Sequence, residues 1–551
     1  MSSNDLVIGP LLRYVDETSA SIWVEVGRPA KVTVTVGRTD TTARTFAIHG
    51  HHYALIEIGD LSPGASLPYT VQIDGTPVWP TQNSRFPTSR IRTLDFGGPL
   101  RIAYGSCRVS ANHGVHENAQ FGVDVLRAQA LQMAQSSEDT WPDLVLFLGD
   151  QVYADETSDE MRKFISSRRS LDVPPGEELK DFEEYAHLYS LVWSDPDNRW
   201  LLSTLPSSMI FDDHDIRDDW NTSHTWRQQM AATPWWPDRI VGGLSSYWIY
   251  QHLGNLSPDD RAEDVVWQHI RNCQEAGDES DLGPYFDEFA AAADERPDSY
   301  RWSHGRGLGR TRLIMIDSRA ARVLSPHDRS MLDDAEMTWL DERIRGDLDQ
   351  LLLGTSLPFL LAPGLHQLEA WNEAVSSGAW GRRFARSGER IRQGLDLEHW
   401  AAFEQSFRHV ATMVTDVADG KRGSAPANVV FLSGDVHHSY VAEVDRADGG
   451  RVIQAVCSPI RNPMPRPARR ATQAASHRVS GRLTALAVRA AKVPAPPISW
   501  SITHGPWFDN CLATLEITGR DLHLSWEKAV VQDDEADRPT LHTIHEMRLA
   551  G

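Results

Sequence analysis

The side chains in this sequence best suited to chemistry follow directly after short apolar runs. Leu144 to Leu148 leads into Gly149, Asp150 and Tyr153, with Asp155 beyond; Met209 to Phe211 leads into Asp212, Asp213, His214 and Asp215. Leu313 to Ile316 leads into Asp317, Ser318 and Arg319, and Val429 to Leu432 into Gly434, Asp435, His437 and His438. A further turn, Gly105-Ser106-Cys107-Arg108, follows Arg101 to Tyr104. The carboxylate of Asp150 and the phenol of Tyr153 are oxygen donors, and tyrosinate suits a strongly acidic cation such as ferric iron. The plainer reading is an aspartate-capped turn with a core tyrosine. Three carboxylates around one imidazole at 212–215 repel one another at a strand end unless cations or solvent relieve them. Alternation through an extended segment sends Asp435 and His437 to one side and His438 to the other, so one of the two histidines is expected to be structural. Cys107 reads as a thiolate ligand, a nucleophile or a small buried residue; its place beside metal-type clusters favours ligation by iron or zinc. Arg108 and Arg319 are either bidentate donors to a phosphate or carboxylate, or partners of neighbouring aspartates.

Each of these apolar runs is short and apolar at every position, the pattern of a strand buried on both faces, and polar groups at the ends of such strands converge in layered α/β folds. Helical stripes supply the covering layers: Leu179, Phe182, Tyr185, Tyr189 and Val192 share one face, as do Trp400, Phe403, Phe407, Val410 and Val414. Residues 1–95 read differently. Ala20 to Val26, Lys31 to Val36 and Tyr69 to Ile73 alternate apolar and polar positions, as short strands of a sandwich do, and Gly97-Gly98-Pro99 marks a linker. Residues 96–551 then form the second, larger domain, with an insertion over 221–300 and a terminal hairpin over 511–529. Trp235, Trp236, Trp248 and Trp302 are expected in cores rather than around a ligand.

The chain has 551 residues, 41% hydrophobic, and 54 basic against 76 acidic side chains for a net charge of −22. That field repels nucleic acids and anionic membranes as general partners. The longest apolar stretch, Leu351 to Leu365, is broken by Pro358 and Pro363, so no membrane span is expected. Four cysteines at 107, 273, 457 and 511 are too sparse for a disulfide scaffold. No leader is visible near Met1, which makes the cytoplasm the default location, with an exported mature form as the alternative. Between Asp448 and Asp509 there is no acidic residue, while Arg461, Arg466, Arg469, Arg470, Arg478, Arg482, Arg489 and Lys492 fall there. This basic segment, 461–493, is read as docking on the acidic body or as a lid over the site.

Taken together, Gly-Ser-Cys, Gly-Asp-Gln-Val-Tyr-Ala-Asp, Asp-Asp-His-Asp and Gly-Asp-Val-His-His resemble the motifs of the PhoD-like alkaline phosphatase and phosphodiesterase family, metallophosphatases related to purple acid phosphatases. The resemblance implies a four-layer αββα metallophosphatase sandwich, with Gly9 to Arg13 and Ser21 to Trp23 in a fibronectin-like N-terminal domain. It implies Fe3+ and Ca2+ as cofactors, with Asp150 bridging, Cys107, Tyr153 and His437 facing iron, Asp213 on the second metal and Asp435 in the same set. His214 would serve the leaving oxygen, with Arg319 near a small phosphate-ester substrate. The family's further metal-binding histidine has no clear counterpart; His366 is the nearest candidate, and packing is its other reading. The competing readings are a noncatalytic binding protein on the same scaffold, another metal-dependent hydrolase, and an iron oxygenase. The last lacks a local face of two histidines and one carboxylate.

Overall fold

The structure is a computed structural model that describes residues 6–326, 328–476, 488–531 and 538–551. The N-terminal strands form two sheets. One runs in the order Leu6–Val15, Ala20–Val26, His51–Ile58, Phe46–Ile48; the other in the order Thr39–Arg44, Lys31–Val36, Ser66–Ile73, Thr76–Trp79, with Arg90–Arg92 also pairing with Ser66–Ile73. Leu12, Ile22, Val24, Val32, Val34, Ile56 and Val71 from both sheets pack into one core. Lys31–Val36 keeps the alternation its sequence shows. Ala20–Val26 does not, because every residue in it is buried. Its second face carries Trp23 onto Tyr250, with ring centroids 5.4 Å apart, and Glu25 against the Tyr250 hydroxyl at 2.9 Å.

The rest of the chain is mixed α/β and contains two further sheets. A six-stranded sheet has the order Ser207–Ile210, Leu144–Leu148, Leu100–Gly105, Leu512–Thr518, Asp521–Val530, Thr540–Leu549; the first three strands are parallel and the last three form an antiparallel run. A seven-stranded sheet has the order His304–Leu308, Thr311–Ile316, Gln350–Thr355, Asn428–Ser433, Arg451–Val456, Ser439–Val444, Trp500–Trp507. The apolar runs of the sequence are therefore strands, divided between two sheets. Alternate residues face opposite ways. Leu146 and Leu148 share a core with Leu313, Met315, Val430 and Leu432 of the other sheet. Val145 and Phe147 pack instead among helical residues such as Leu126, Tyr185, Tyr189 and Leu201, and Ile314, Leu353 and Phe431 among Leu340, Phe407 and Val414. Burial on both faces is what makes these runs apolar at every position.

Residues 221–300 are helical, with His224–Ala231, Trp236–Tyr247, Val265–Ala276 and Gly283–Glu295 as their longer elements. Trp235, Trp236, Trp248 and Trp302 are buried in the same core as these helices. The terminal hairpin is present and is joined by Thr540–Leu549 as one more strand. No helix among the described residues is long and apolar enough to cross a membrane.

Candidate functional site

Four turns at strand ends are bonded to one another. After Leu144–Leu148, Gly149 turns with φ of +106°, and a Cβ there would lie 2.6 Å from Cβ of Asp212, so only glycine lets these two turns approach. The backbone N–H groups of Cys107 and Arg108 donate to the carbonyls of Gly149 (3.3 Å) and Asp150 (3.2 Å). The N–H of Asp435 donates to Oγ of Ser106 at 3.1 Å, and a Cβ on Gly434 would collide with that same Ser106 side chain. Asp215 ties the second turn to the first: its carboxylate accepts from the N–H of Asp150 (3.0 Å) and of Asp212 (2.9 Å) and from Gln251 Nε2 (3.0 Å).

Four candidate residues, Cys107, Asp150, Asp435 and His437, have left-handed backbones with φ of 55°, 51°, 63° and 51°. Such conformations cost on the order of 1 kcal/mol each in a non-glycine residue and persist where the surroundings over-determine them. They also overturn the extended alternation expected at 435–438. The segment is a turn in which the N–H of His437 donates to the Asp435 carbonyl at 2.7 Å. His438 stacks on Tyr440 and Phe508 and bonds the Val436 carbonyl at 2.7 Å through Nδ1.

At the centre stand Asp150, Asp212 and Asp213, all buried, with carboxylate oxygens within 4.8 Å of one another. Among the described residues, Oδ1 of Asp150 and Oδ2 of Asp212 have no hydrogen-bond partner, and Oδ1 of Asp213 faces only the Arg319 guanidinium, with Nη2 3.1 Å away. Burial pushes the Asp150 and Asp212 carboxyls well up and the Asp213 carboxyl up; the neighbouring carboxylates add to this, while Arg319 pulls Asp212 and Asp213 back and His214 pulls Asp150 and Asp213 back. A buried carboxylate trio with orphaned oxygens fits a cation, which would supply the missing partners. Asp213, His214 and Asp218 form a second group of the same kind.

The flanking donors are neutral as they stand. Burial raises the Cys107 thiol well above its ordinary value, and Asp150 and Asp435 raise it further; Ser106 and Ser458 lie 3.2 and 3.4 Å from its sulfur. Tyr153, likewise raised by burial and then by Cys107 and Asp150, accepts from Asn462 at 3.0 Å and lies 4.8 Å from the His214 ring. His437 is held down to about 4 by burial. His214 is the contrary case: burial opposes its charge, but Asp155, 2.9 Å from Nδ1, and Asp213 raise it well above its ordinary value.

The arginines take the partnered reading. Arg108 is buried against Asp124, with Nη2 to Oδ2 at 2.7 Å, and Asp124 also caps the helix Val125–Gln135. Arg319 is fully enclosed: Nε bonds Asp212, Nη1 lies 2.6 Å from Glu398, and Nη2 lies 3.1 Å from Asp213 and 4.0 Å from Asp435. His366 is packed edge-on to Phe407 and Trp500 and held down to about 3 by burial. A different histidine reaches the site. His399 Nε2 lies 3.2 Å from Asp435 Oδ2, and its Nδ1 lies 2.8 Å from Glu369. His399 and Glu398 directly precede Trp400 in the sequence, after no apolar run, and only the fold shows where they go. In the basic segment, Arg461 is buried and bonds the carbonyls of Ala111 and Asn112, whereas Arg466 and Arg470 are exposed on the helix Arg466–Ser476. Among the described residues no ion pair docks that segment on acidic groups, and Arg478 and Arg482 lie outside them.

Residues 128–275 match the family model described as PhoD-like phosphatase, a stretch that holds Asp150, Tyr153, Asp213 and His214. Residues 3–91 match a domain of unknown function, DUF7800. Among solved structures, one titled "Structure of PhoD" aligns over 100% of this chain and 91% of its own, with a TM-score of 0.59 and 13% identity, a likeness of fold. A maltogenic amylase from S. marinus (9% identity, covering 98% of this chain and 81% of its own) and a type III pullulan hydrolase from Thermococcus kodakarensis (11%, covering 96% and 95%) have TM-scores of 0.15 and 0.11, too low to bear on the fold. No curated protein matches.

Proposed function

We propose that the chain, whose residues 128–275 match the PhoD-like phosphatase model, is a phosphoester hydrolase of that family, and that its site works as follows. In this reading Asp150, Asp212 and Asp213 hold the cations, with Cys107, Tyr153 and His437 toward ferric iron, Asp435 beside them and calcium as the second ion. The substrate is a small phosphate monoester or diester. The observation that carries it is the trio of buried carboxylates with orphaned oxygens, next to a histidine kept cationic. The αββα layering and a division near residue 95 belong to the same reading; the core shared by the two larger sheets supports the first.

A bound metal supplies Lewis acidity to water and to a phosphoryl oxygen. The protein's own groups do the rest. Asp155 fixes the His214 ring through Nδ1 and keeps it protonated, so Nε2 donates a proton to the oxygen of the departing alcohol as the P–O ester bond breaks. Arg319 is a positioning residue: it offsets the charge of Asp212 and Asp213 from within the protein and leaves Oδ2 of Asp212 free. Asp215 orients Asp150 and Asp212 through their N–H groups, and His399 holds Asp435.

Protein loaded with iron and calcium is expected to hydrolyse a nitrophenyl monoester or a bis(nitrophenyl) diester and to lose that activity on chelation. It should also show a visible tyrosinate-to-iron band that Tyr153→Phe removes. If the loaded protein hydrolyses neither ester, the reading fails. Hydrolysis without the band would sink the iron assignment alone.

A further inference from the structure

The helix Arg382–Gly394 and the residue after it carry a face that nothing in the described structure covers. One edge of that face is fixed at Gly388, which falls between Phe384 and Ile391 on the helix: Asn372 Nδ2 donates to its carbonyl at 2.9 Å, and a Cβ there would meet Ser376 Oγ at 2.7 Å. Along that edge Phe384, Ile391 and Leu395 stand out to solvent, 55%, 36% and 59% exposed. Spacings of seven and four residues place all three on one stripe. Beside them Trp380 sets its ring edge-on to Phe384 at 6.0 Å.

A second stripe, about a third of a turn further round the helix, consists of Arg383, Arg386 and Arg390, all exposed, with Arg382 next to it. The one acidic residue of the helix, Glu389, bonds Ser223, Arg392 and Gln393. Among the described residues none of Arg382, Arg383, Arg386 and Arg390 makes an ion pair. In a chain of net charge −22, this is a concentrated positive surface with apolar side chains standing in it.

We propose that this face docks on an anionic phospholipid bilayer. A soluble polyanion would neutralise the arginines and leave the apolar stripe in water, whereas a lipid surface takes both, with acyl-level contacts for Phe384, Ile391 and Leu395 and headgroup phosphates for the arginines. The acidic remainder of the molecule is repelled by the same surface, so the attraction also orients the protein. The helix ends at Gly394 and the chain continues through Leu395 to Glu398 and His399, so docking brings that flank of the site toward the headgroups. Nothing in this inference needs the phosphoesterase chemistry, and either can fail alone.

Co-sedimentation of the full chain with phosphatidylcholine vesicles, with and without phosphatidylglycerol, tests it. Binding is expected only with the anionic lipid and to weaken with salt. Neutralising Arg383, Arg386 and Arg390 to Gln should weaken it about a hundredfold, at about fivefold per arginine. Phe384→Ser with Ile391→Ser should weaken it about tenfold while retention on a heparin column stays unchanged. Unchanged melting temperature and unchanged hydrolysis of a soluble nitrophenyl ester would certify both variants as folded. Failure of the unaltered protein to bind anionic vesicles overturns the proposal. So does full vesicle binding by the serine variant, which would make the face a site for soluble polyanions.

Discussion

Asp150 sits where function and stability conflict. Its carboxylate is buried, one oxygen has no partner, and Asp212, Asp213 and Asp215 all raise the cost of its charge. In metal-free protein, Asp150→Asn is therefore expected to leave the melting temperature equal or higher, while activity of the metal-loaded enzyme falls by about a thousandfold or more, as loss of a metal ligand does. Thermal scans with chelator, beside the ester assay, check both halves, and a variant that is destabilised without metal would contradict the argument. Arg319 is the opposite case. It is the countercharge of Asp212 and Asp213, and it shares Glu398 with Arg322, so Arg319→Ala strands two buried carboxylates and should cost about 3–5 kcal/mol in denaturant unfolding. A variant as stable as the parent would mean that those groups are already neutral. The candidate ligands at 107, 150, 153 and 213 were legible because each follows an apolar run closely. Arg319 was legible as a charge beside the site but not as an enclosed one, since enclosure depends on Glu398, 79 positions away. His399 was not legible, because its meaning comes wholly from meeting Asp435.

Strands were readable where their sequence reflects what covers them. The doubly apolar runs announced two-sided burial, but not which sheet each would join: Leu144–Leu148 and Asn428–Ser433 look alike and lie in different sheets. Alternation failed at Ala20–Val26 because a helical layer covers the face that the sequence pattern assigns to solvent. That covering makes one ion-paired junction measurable. His51, on the strand His51–Ile58, bonds Glu25 through Nδ1 (2.8 Å) and Glu183, in the first turn of the helix Phe182–Trp193, through Nε2 (3.0 Å). Burial works against its charge, yet the two glutamates push it up to about 9 from an ordinary 6.5. Below pH 6.5 the folded and unfolded chains are both protonated, and the junction contributes in full. Between 6.5 and 9 the unfolded chain gives up the proton first, so the contribution falls away and is gone above 9. Stability is expected to decline by about 3 kcal/mol over that interval, and His51→Gln should flatten the decline. Equal slopes for the two proteins in urea unfolding at stepped pH would refute the assignment.

Across the whole molecule, the N-terminal sheets and the site are joined by a continuous bonded path. Arg13, fully buried on its strand, donates to the carbonyls of Tyr250 (2.7 Å) and Gln251 (2.6 Å) and to Asn255 Oδ1 (3.1 Å). Gln251 in turn donates to Asp215, which holds the N–H of Asp150, and Asn255 Oδ1 accepts the N–H of Met209 in the strand that precedes Asp212. One apolar core runs the same way, from Ile8, Leu11 and Trp23 through Tyr250 and Tyr189 to Val145 and Phe211. A segment that shares its core and its buried donors with the site has no surface along which to melt separately. Calorimetry should therefore show residues 6–92 unfolding in the same transition as the strands that carry Asp150 and Asp213. Cations bound to the folded site alone must shift that whole transition. At a hundredfold excess over the dissociation constant the gain is about 2.7 kcal/mol, which moves the midpoint upward by a few degrees, and chelator should reverse it. A first transition that ignores chelator, iron and calcium, while a second follows them, would show that the path through Arg13 and Gln251 carries no cooperativity.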